Sequence, residues 1–273
     1  MNILHNFQKS STFISQDDEI FKTIGKRLKF SFNPSLKIST PLFFFKQLYY
    51  LLKNFNKYDI IISQMAAYHT VLPSILSRLK IKKHIIILHG TDSLMLKEIG
   101  YGNHSRPLLG YFTKFSIINA SFLLPVSKIL IQSQNSYISE KPKEMGLKSI
   151  IKSKLPEFKV ILNGVSTEKF IIQRNIVRTK NSFITVSAGL EQERTYLRKG
   201  IDLLLQFAEL NPTFKITIVG SKAIFNYTKD LKNVEIINFS TSDRLITLYN
   251  QHQFYVQLSM VEGFGVSLCE AML

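Results

Sequence analysis

The stretch QFYVQLSMVEGFGVSLCEAM, residues 253–272, is typical of a strand, a glycine-containing loop and the start of a helix. The run 253–259 is apolar enough to form a buried strand. The glycines at 263 and 265 allow backbone N–H groups to approach a ligand closely, and the N-terminus of a helix favours negative charge. The stretch therefore predicts an anion-binding corner at the carboxyl end of a strand.

Eight further short runs rich in β-branched and aromatic residues lie along the chain, with helical stretches between them. Because these runs are apolar throughout rather than alternating, we expect strands that are buried on both faces and covered by helices on both sides. The pattern predicts an α/β fold with parallel sheets. The runs are 2–7, 59–63, 84–88, 121–126, 158–162, 182–187, 214–220 and 234–239.

The helical segments are predicted from caps and apolar stripes. Ser39 or Thr40 precedes a helix that has Pro41 in its first turn and runs to about residue 55. Apolar residues at 201, 204, 205 and 208 form a stripe at helical spacing, and 243–250 is a third helical segment. The pattern breaks between 160 and 182, which predicts two lobes, residues 1–165 and 166–273.

The basic charge of the chain is concentrated in its first part. The net charge is +16, and residues 1–165 carry 23 Lys and Arg against 9 Asp and Glu, a net +14. Such a lobe attracts phospholipid headgroups, nucleic acid or a phosphate-bearing substrate, or it serves only for solubility. We expect no nucleic acid partner, because zinc-finger spacing, an aromatic RNA-binding strand motif and a dense basic run are all missing.

The cysteine content and the hydropathy of the chain indicate its cellular compartment. Cys269 is the one cysteine, so an internal disulfide is excluded, and we expect it to be a small buried residue on its helix. The start MNILHNFQKSSTF lacks the pattern of an export signal. The most apolar window, 41–52, is interrupted by Lys46, so no membrane span is expected. A cytoplasmic protein fits these observations.

The segment EGFGVSLCEAM, with two glutamates in E-x7-E spacing, resembles the donor-binding signature of retaining, family-4-type glycosyltransferases with the GT-B fold. This resemblance implies two Rossmann-like, doubly wound lobes that face a cleft, and a nucleotide diphosphate sugar as donor. It implies that Glu262 contacts the sugar and Glu270 the ribose. The backbone of Gly263, Phe264 and Gly265 would approach the sugar and its phosphate.

The segment LRKG, 197–200, resembles the family's diphosphate-binding lysine before a glycine. The resemblance implies that Lys199 neutralises the departing diphosphate. Many members also carry an arginine after the preceding strand, where this chain has Gly189-Leu190. Either Arg198 or Arg194 is a candidate for that second cation.

Three segments of the first lobe also resemble the family. In LHGTD, 88–92, His89 is placed to contact the sugar, and Asp92 to contact the donor, orient the loop or cap the next helix. Ser127 in LPVSK follows a strand, where capping a helix is the favoured role and additional contact with the ligand is the alternative, whereas Asn163-Gly164 is interpreted as a structural turn. The usual Gly-Gly after the first strand is replaced here by Ser10 and Ser11.

The resemblance implies a retaining glycosyltransferase with a lipid-linked or polysaccharide acceptor in cell-surface glycan synthesis. In such families the donor phosphate, rather than a side-chain nucleophile, is thought to assist on the reacting face. The histidines share no metal-ligand spacing, so we expect no metal and no cofactor besides the donor. The basic lobe makes the inner face of the plasma membrane a candidate for peripheral attachment, although helix 41–55 has the simpler alternative of covering the sheet.

Family members continue beyond the E-x7-E helix, so we expect this chain to be truncated and its second lobe to be incomplete. Two alternatives stay open: a catalytically silent remnant that binds a membrane or a partner, and a sugar-nucleotide epimerase of the same architecture. A basic nucleic-acid-binding module is the weakest reading. Motifs typical of serine hydrolases, P-loop NTPases and dinucleotide-binding dehydrogenases are absent from the sequence.

Overall fold

The computed structural model describes residues 1–34, 39–137, 141–238 and 240–273, and of Thr12 the backbone alone. The chain folds into two compact units, Met1–Asn163 and Gly164–Leu273, called unit 1 and unit 2. Each unit is built on a parallel sheet, so the α/β fold predicted from the buried apolar runs is confirmed.

The sheet of unit 1 has five strands that pair in parallel. They are β1 (Ile3–Phe7), β2 (Arg27–Ser31), β3 (Ile60–Gln64), β4 (Lys83–Leu88) and β5 (Phe122–Pro125). Their order across the sheet is β2-β1-β3-β4-β5. The chain moves one way from β1 and the other way from β3, so the carboxyl ends of β1 and β3 flank the point where ligands bind in sheets of this kind.

Four helices connect these strands: α1 (Thr12–Ile24), α2 (Thr40–Lys53), α3 (Val71–Arg78) and α4 (Pro107–Ile118). Because parallel crossovers are right-handed, α1 lies on one face of the sheet, and α2, α3 and α4 lie on the other. On that face α2 contacts α3, and α3 contacts α4. Among the described residues, no helix combines the length and the apolar character that crossing a bilayer requires.

Two segments of unit 1 differ from the expectation. The strand β2, RLKFS, was not predicted because basic residues alternate with its apolar ones. The predicted strand 158–162 is wrong: the segment runs beside β5 but forms only a single bridge. The backbone N–H groups of Lys159 and Ile161 donate to Leu123 and Pro125, at 3.1 and 3.0 Å. Unit 1 also contains an antiparallel pair, β6 (Ser133–Asn135) and β7 (Lys143–Met145), and the short helix α5 (Leu147–Ile150).

Unit 2 contains the second parallel sheet, in the order β10-β9-β8-β11. Its strands are β8 (Thr179–Val186), β9 (Lys215–Val219), β10 (Val234–Ile237) and β11 (His252–Tyr255). Its helices are α6 (Glu193–Arg198), α7 (Ile201–Leu210), α8 (Ser242–Gln251) and α9 (Val266–Met272). The stripe predicted on α7 is buried in the core, as expected. The run predicted to reach residue 239 ends at Ile237, and Phe239 lies outside the described residues.

Three predicted local features are corrected. Pro41 is in the first turn of α2 as predicted, but Ser39 makes no side-chain capping bond. Ser127 precedes only the short 3-10 turn Lys128–Leu130 and does not cap it. Asn163 and Gly164 form no tight turn, because neither adopts the positive φ that a two-residue Asn-Gly turn needs.

Candidate functional site

Three charged side chains of unit 2 meet at one place. Lys199 Nζ lies 2.7 Å from Glu262 Oε2, and Arg198 Nη1 lies 3.6 Å from Glu262 Oε1. The side chains are 19%, 14% and 26% exposed for Lys199, Arg198 and Glu262, so the cluster is largely withdrawn from water. The structure thus brings together the two segments that sequence reasoning had linked only by resemblance.

A glycine explains how these segments meet. Gly200 follows Lys199 at φ 65°, and a Cβ there would lie 2.3 Å from the Leu258 carbonyl oxygen. Only glycine lets the turn between α6 and α7 pack this closely against the segment after β11. The Met260 N–H donates to the Arg198 carbonyl at 2.8 Å and fixes the same contact from the other side. The run predicted as a strand to residue 259 ends at Tyr255, where the chain leaves the sheet toward this contact.

Burial and charge act in opposite directions on this cluster. Burial alone would raise the pKa of Glu262, but Lys199 and Arg198 outweigh it and hold that pKa below its usual value. Burial lowers the pKa of Lys199, against the effect of Glu262. With two cations beside one carboxylate, the ionised cluster carries a net positive charge.

The glycine loop lies next to Glu262 in the chain. Gly263 is buried, and Gly265 precedes α9 at φ 79°. A Cβ on Gly265 would lie 3.3 Å from Gln257 Nε2, a tight contact. In the described part of the chain, the amide N–H groups of Gly263, Phe264 and Gly265 donate no hydrogen bond. These donors are what an oxygen-rich ligand requires.

Glu270 lies in a different environment from Glu262. It accepts a hydrogen bond from the Tyr249 hydroxyl at 3.3 Å, and burial raises its pKa. It lines a small cavity of about 30 Å³ with Tyr249, Phe170 and Arg178, and Glu262 does not line that cavity. Glu262 and Glu270 therefore have different immediate partners, although both lie close enough to Tyr255 to raise the pKa of its hydroxyl together with burial.

The two candidates for the second cation are separated by the structure. Arg194 is exposed on α6, and its guanidinium donates to the Gln192 side chain at 2.8 and 3.2 Å. Arg198 lies beside Lys199 and reaches Glu262 and the Val261 carbonyl. Arg198 is therefore the cation that accompanies Lys199.

In unit 1, His89 follows the last residue of β4. Its Nε2 atom lies 2.8 Å from Gln64 Oε1, and its ring packs against Phe13 with centroids 4.5 Å apart. Burial lowers the pKa of His89 to about 4, so the imidazole is neutral near pH 7. A neutral imidazole is suited to hydrogen bonding with a hydroxyl group rather than to charge pairing.

Sequence reasoning missed Gln64, the last residue of β3. Its amide nitrogen lies 2.8 Å from Asp17 Oδ2 and 3.2 Å from His5 Nε2, which directs its carbonyl oxygen toward His89. That oxygen accepts a hydrogen, so His89 carries its proton on Nε2 and leaves Nδ1 as an acceptor. The available signal was a polar residue ending an apolar run at the carboxyl edge of the sheet.

Asp92 is fully buried and holds its own loop. Its carboxylate accepts from the backbone N–H groups of Ala66 and Gly90, each at 3.0 Å, and from the Ser93 hydroxyl at 3.1 Å. Burial raises its pKa despite these bonds. Of the roles considered for Asp92, orienting the loop fits this geometry, whereas contact with a donor does not, because the side chain has no accessible surface in unit 1.

The serines of unit 1 are placed differently from one another. Ser127 is half-buried at the end of β5, free of the capping role expected for it. Ser10 Oγ lies 3.5 Å from Ser15 Oγ. The Ser11 hydroxyl is buried and has no partner among the residues that the structure describes.

Within ranges 1–34, 39–137, 141–238 and 240–273, no group of three or more His, Cys, Asp or Glu side chains is placed to hold an ion. Cys269 on α9 is half-buried rather than buried as expected, because α9 has no fully buried residue.

Comparison with known proteins supports one family. Residues 168–273 match the model of the family described as glycosyl transferases group 1. A curated relative, an uncharacterized glycosyltransferase of Methanocaldococcus jannaschii, is 26% identical over 194 residues, which cover 69% of this chain and 46% of that protein. The chain thus spans about half the length of the relative that it matches.

Solved structures show the same fold at low identity. Sucrose-phosphate synthase from Thermosynechococcus elongatus has a TM-score of 0.66 at 12% identity, covering 100% of this chain and 79% of that one. A TarM variant of S. aureus, in complex with fondaparinux, alpha-GlcNAc-glycerol and UDP, has a TM-score of 0.55 at 16% identity over 83% of this chain and 42% of that one. UDP-GlcNAc 2-epimerase from Neisseria meningitidis, bound to UDP-GlcNAc, has a TM-score of 0.52 at 14% identity over 93% and 77%. At these identities the solved structures show the GT-B fold alone, and the similarity to group 1 glycosyltransferases rests on the match over residues 168–273 and on the curated relative.

Proposed function

We propose that this chain is a retaining glycosyltransferase, which moves a sugar from a nucleotide diphosphate donor to a lipid-linked or polysaccharide acceptor in cell-surface glycan synthesis. The observation that carries the proposal is the cluster of Arg198, Lys199 and Glu262. It stands in a segment that matches the group 1 family and next to amides without hydrogen-bond partners.

The two cations suit a diphosphate leaving group. As the bond between the sugar and the phosphate breaks, negative charge accumulates on the diphosphate. Cations held in a largely dry site stabilise that charge without having to reorganise. Since Arg198 and Lys199 share one carboxylate, the cluster retains a positive charge for the phosphate. These cations would perform the charge neutralisation that metal ions provide in other transferases.

Glu262 and the glycine loop suit the sugar. A carboxylate accepts hydrogen bonds from sugar hydroxyls, and the amides of Gly263, Phe264 and Gly265 are donors for sugar or phosphate oxygens. We assign the ribose to Glu270 through the resemblance alone. The resemblance alone also assigns His89 to the sugar, where its Nδ1 atom would accept a hydrogen bond from a hydroxyl group. For retention, the donor phosphate oxygen would assist on the face that the acceptor attacks, so the protein contributes positioning and charge.

The test begins with the donor. Thermal-shift screening of UDP, GDP and ADP sugars identifies the nucleotide, and proton NMR of the first-formed product determines its anomeric configuration. We expect Glu262→Gln to lower transfer by at least about 100-fold while the nucleoside diphosphate still binds. Glu191→Gln, at an exposed glutamate of the same unit, is the control. Full activity of Glu262→Gln, or an inverted product, would contradict the proposal.

Peripheral attachment to an anionic membrane is the second part of the proposal. Its support is the net charge of +14 on residues 1–165. Lys80→Glu with Lys83→Glu should reduce sedimentation with vesicles that contain anionic phospholipid. Lys82 is left in place because it donates to the Tyr58 carbonyl and lies over the Phe55 ring. Equal charge changes at the exposed Lys222 and Lys232 of unit 2 are the control, and equal losses in both variants would reject a membrane face on unit 1.

The structural likeness to a UDP-GlcNAc 2-epimerase over 93% of the chain keeps a second candidate in view. An epimerase isomerises the free sugar nucleotide without any acceptor. Incubation of the donor alone, followed by NMR of the recovered sugar nucleotide, separates the two functions. An isomerised donor would support the epimerase, and no turnover with any donor and acceptor would support a catalytically silent binding protein.

A further inference from the structure

An apolar groove of about 780 Å³ lies in unit 1 between the first turns of α2 and α4. Phe44 and Phe45 line it from α2, Leu109 and Phe112 from α4, and Tyr68 from the segment after β3. In parallel crossovers the helices begin at the edge where the strands end. The groove therefore opens at the same edge of the sheet that carries Gln64 and His89.

The groove is an open apolar surface. Phe45 is 70% exposed and Leu108 is 64% exposed, and both line it. Contiguous apolar surface of this kind marks a binding site more often than scattered apolar residues do. The volume lies within the range of about 300 to 1,000 Å³ that is typical of small-molecule sites.

Charge narrows the choice of occupant. Neither α2 nor α4 contains an acidic residue, whereas Lys46, Lys53 and Lys114 lie on these helices. Among the described residues, Arg106 is the one charged side chain that lines the groove, and it is exposed and has no ion pair there. A second copy of this strongly basic unit would be repelled. The complementary ligand combines a hydrocarbon chain with a negative group.

We propose that this groove binds the hydrocarbon chain of an anionic, phosphate-bearing amphiphile, with Arg106 beside the phosphate. The identification of this amphiphile as the acceptor lipid rests on the proposed function. The groove extends that function by a separate subsite, which holds the acceptor by its chain at the carboxyl edge of the unit 1 sheet. Each methylene that enters the groove should tighten binding about fourfold.

A single tryptophan makes the site measurable, because the chain contains none. Leu108→Trp replaces an exposed groove residue and provides a fluorescence signal. Monomeric octyl phosphate and dodecyl phosphate, below their micellar concentrations, are titrated against it, with inorganic phosphate as the reference. We expect saturable binding that tightens at least tenfold from octyl to dodecyl, and inorganic phosphate binding at least a hundredfold more weakly than dodecyl phosphate.

Two variants on the same helix form a matched pair in this background. Phe45→Asp changes a groove residue that is 70% exposed, and Leu52→Asp changes a residue on the last turn of α2 that is 61% exposed and does not line the groove. We expect Phe45→Asp to weaken dodecyl phosphate binding at least tenfold and Leu52→Asp to leave it within twofold. Arg106→Gln should weaken dodecyl phosphate but not dodecanol.

Three outcomes would overturn the proposal. Equal affinity for octyl phosphate, dodecyl phosphate and inorganic phosphate would show that no chain is bound. Equal losses in Phe45→Asp and Leu52→Asp, or binding only to vesicles and micelles, would indicate adsorption of the helix to a bilayer. Nucleoside diphosphate binding to unit 2 is measured in the same samples. Chain-dependent binding without any sugar transfer would refute the proposed function while the groove assignment stands.

Discussion

The two units use the polar side chains of their candidate sites in opposite ways. In unit 1, His89 and Gln64 are joined by one hydrogen bond, and His89 is neutral. In unit 2, Arg198 and Lys199 face the single carboxylate of Glu262, and the cluster keeps a net positive charge. One arrangement fixes the direction of a hydrogen-bond acceptor, and the other concentrates charge.

This difference shows that the total charge of a lobe does not determine the charge of its site. Residues 1–165 hold nearly all of the excess positive charge, and residues 166–273 hold a net of only +2. Even so, the cation pair that suits a diphosphate lies in unit 2. The surplus of unit 1 is available at its surface, whereas its buried Asp18 is neutralised by Arg27 and Lys29 at 2.6 and 2.5 Å.

The largest expected effect comes from removing one of the two cations in the unit 2 cluster. Lys199→Ala should lower the rate of sugar transfer, or of donor hydrolysis, by about 10² to 10³-fold, because a single preorganised donor to a developing charge is worth that much. Burial lowers the pKa of Lys199, which means that keeping its ammonium group charged costs free energy in the folded protein, and the variant removes this cost together with the charge. Steady-state kinetics with the donor found in the thermal-shift screen measure the loss.

The matched control for this variant is Arg194→Ala. Arg194 is an exposed basic residue on α6, five positions away, and its guanidinium is engaged with Gln192. Its removal should change the rate by less than about threefold, as expected for a surface substitution. Similar losses in both variants would mean that general positive charge, and not the buried cluster, supports catalysis.

The second expected effect concerns the neutral histidines of unit 1 and is seen in the free energy of unfolding. Burial lowers the pKa of His69 and His89 to about 4 and of His84 to about 3, from 6.5. The unfolded chain therefore binds protons before the folded chain does, and the free energy of unfolding falls as the pH is lowered from about 6.5 toward 4. Each histidine contributes about 1.4 kcal/mol per pH unit in that window. The raised pKa of Asp92 acts in the opposite direction and reduces the net slope.

Urea unfolding at pH 7 and pH 5, with hydrogen exchange to locate the change, measures this effect. We expect the acid-induced loss in residues 1–163, which hold five of the six histidines. His84→Asn removes one buried ring and should flatten the slope, whatever its stability at pH 7. A free energy of unfolding that is unchanged between pH 7 and pH 5 would show that these imidazoles are not held neutral by burial.

Much of the fold follows from local pattern. Runs such as HIIIL and FKITIV are apolar on both faces, and they form central parallel strands because only burial between helices satisfies them. The segment 158–162 has the same composition but pairs only along the edge of β5, which no sequence pattern distinguishes. The sequence predicts a lobe boundary at residue 165, and the structure divides the chain two residues earlier, after Asn163.

The site was predictable only in part. Lys199 and Glu262 were named through motifs, and the structure adds the contact and its cause, a glycine that tolerates the Leu258 carbonyl. The environment of Glu270 depends on Tyr249 and Phe170, distant in sequence, so no spacing rule places it. Gln64 was missed because a glutamine has no motif, and its role arises from partners on α1 and after β4.

The smallest expected effect concerns the neutral His89 of unit 1, for which Gln64 is a positioning residue. Gln64→Leu removes the acceptor of the His89 Nε2 proton, so the ring loses its preferred tautomer. The loss of one hydrogen bond of this kind corresponds to about a tenfold fall in transfer rate, close to 1.4 kcal/mol. In labelled protein, long-range nitrogen–proton NMR should show His89 protonated on Nε2 in the parent and a mixture of tautomers in Gln64→Leu.

Two variants separate positioning from a structural role. Gln47→Leu removes a glutamine that is equally buried and bonds to Asn6 and the His69 carbonyl, so it measures the structural cost without contact to His89. Gln64→Glu retains an oxygen acceptor for the His89 Nε2 proton, while its other oxygen must share a proton with Asp17 in place of the lost amide donor, so it should retain the Nε2 tautomer. If Gln64→Leu left the His89 tautomer unchanged, or if Gln47→Leu slowed transfer equally, Gln64 would be a packing residue, and the neutral arrangement in unit 1 would owe its geometry to Phe13 and burial alone.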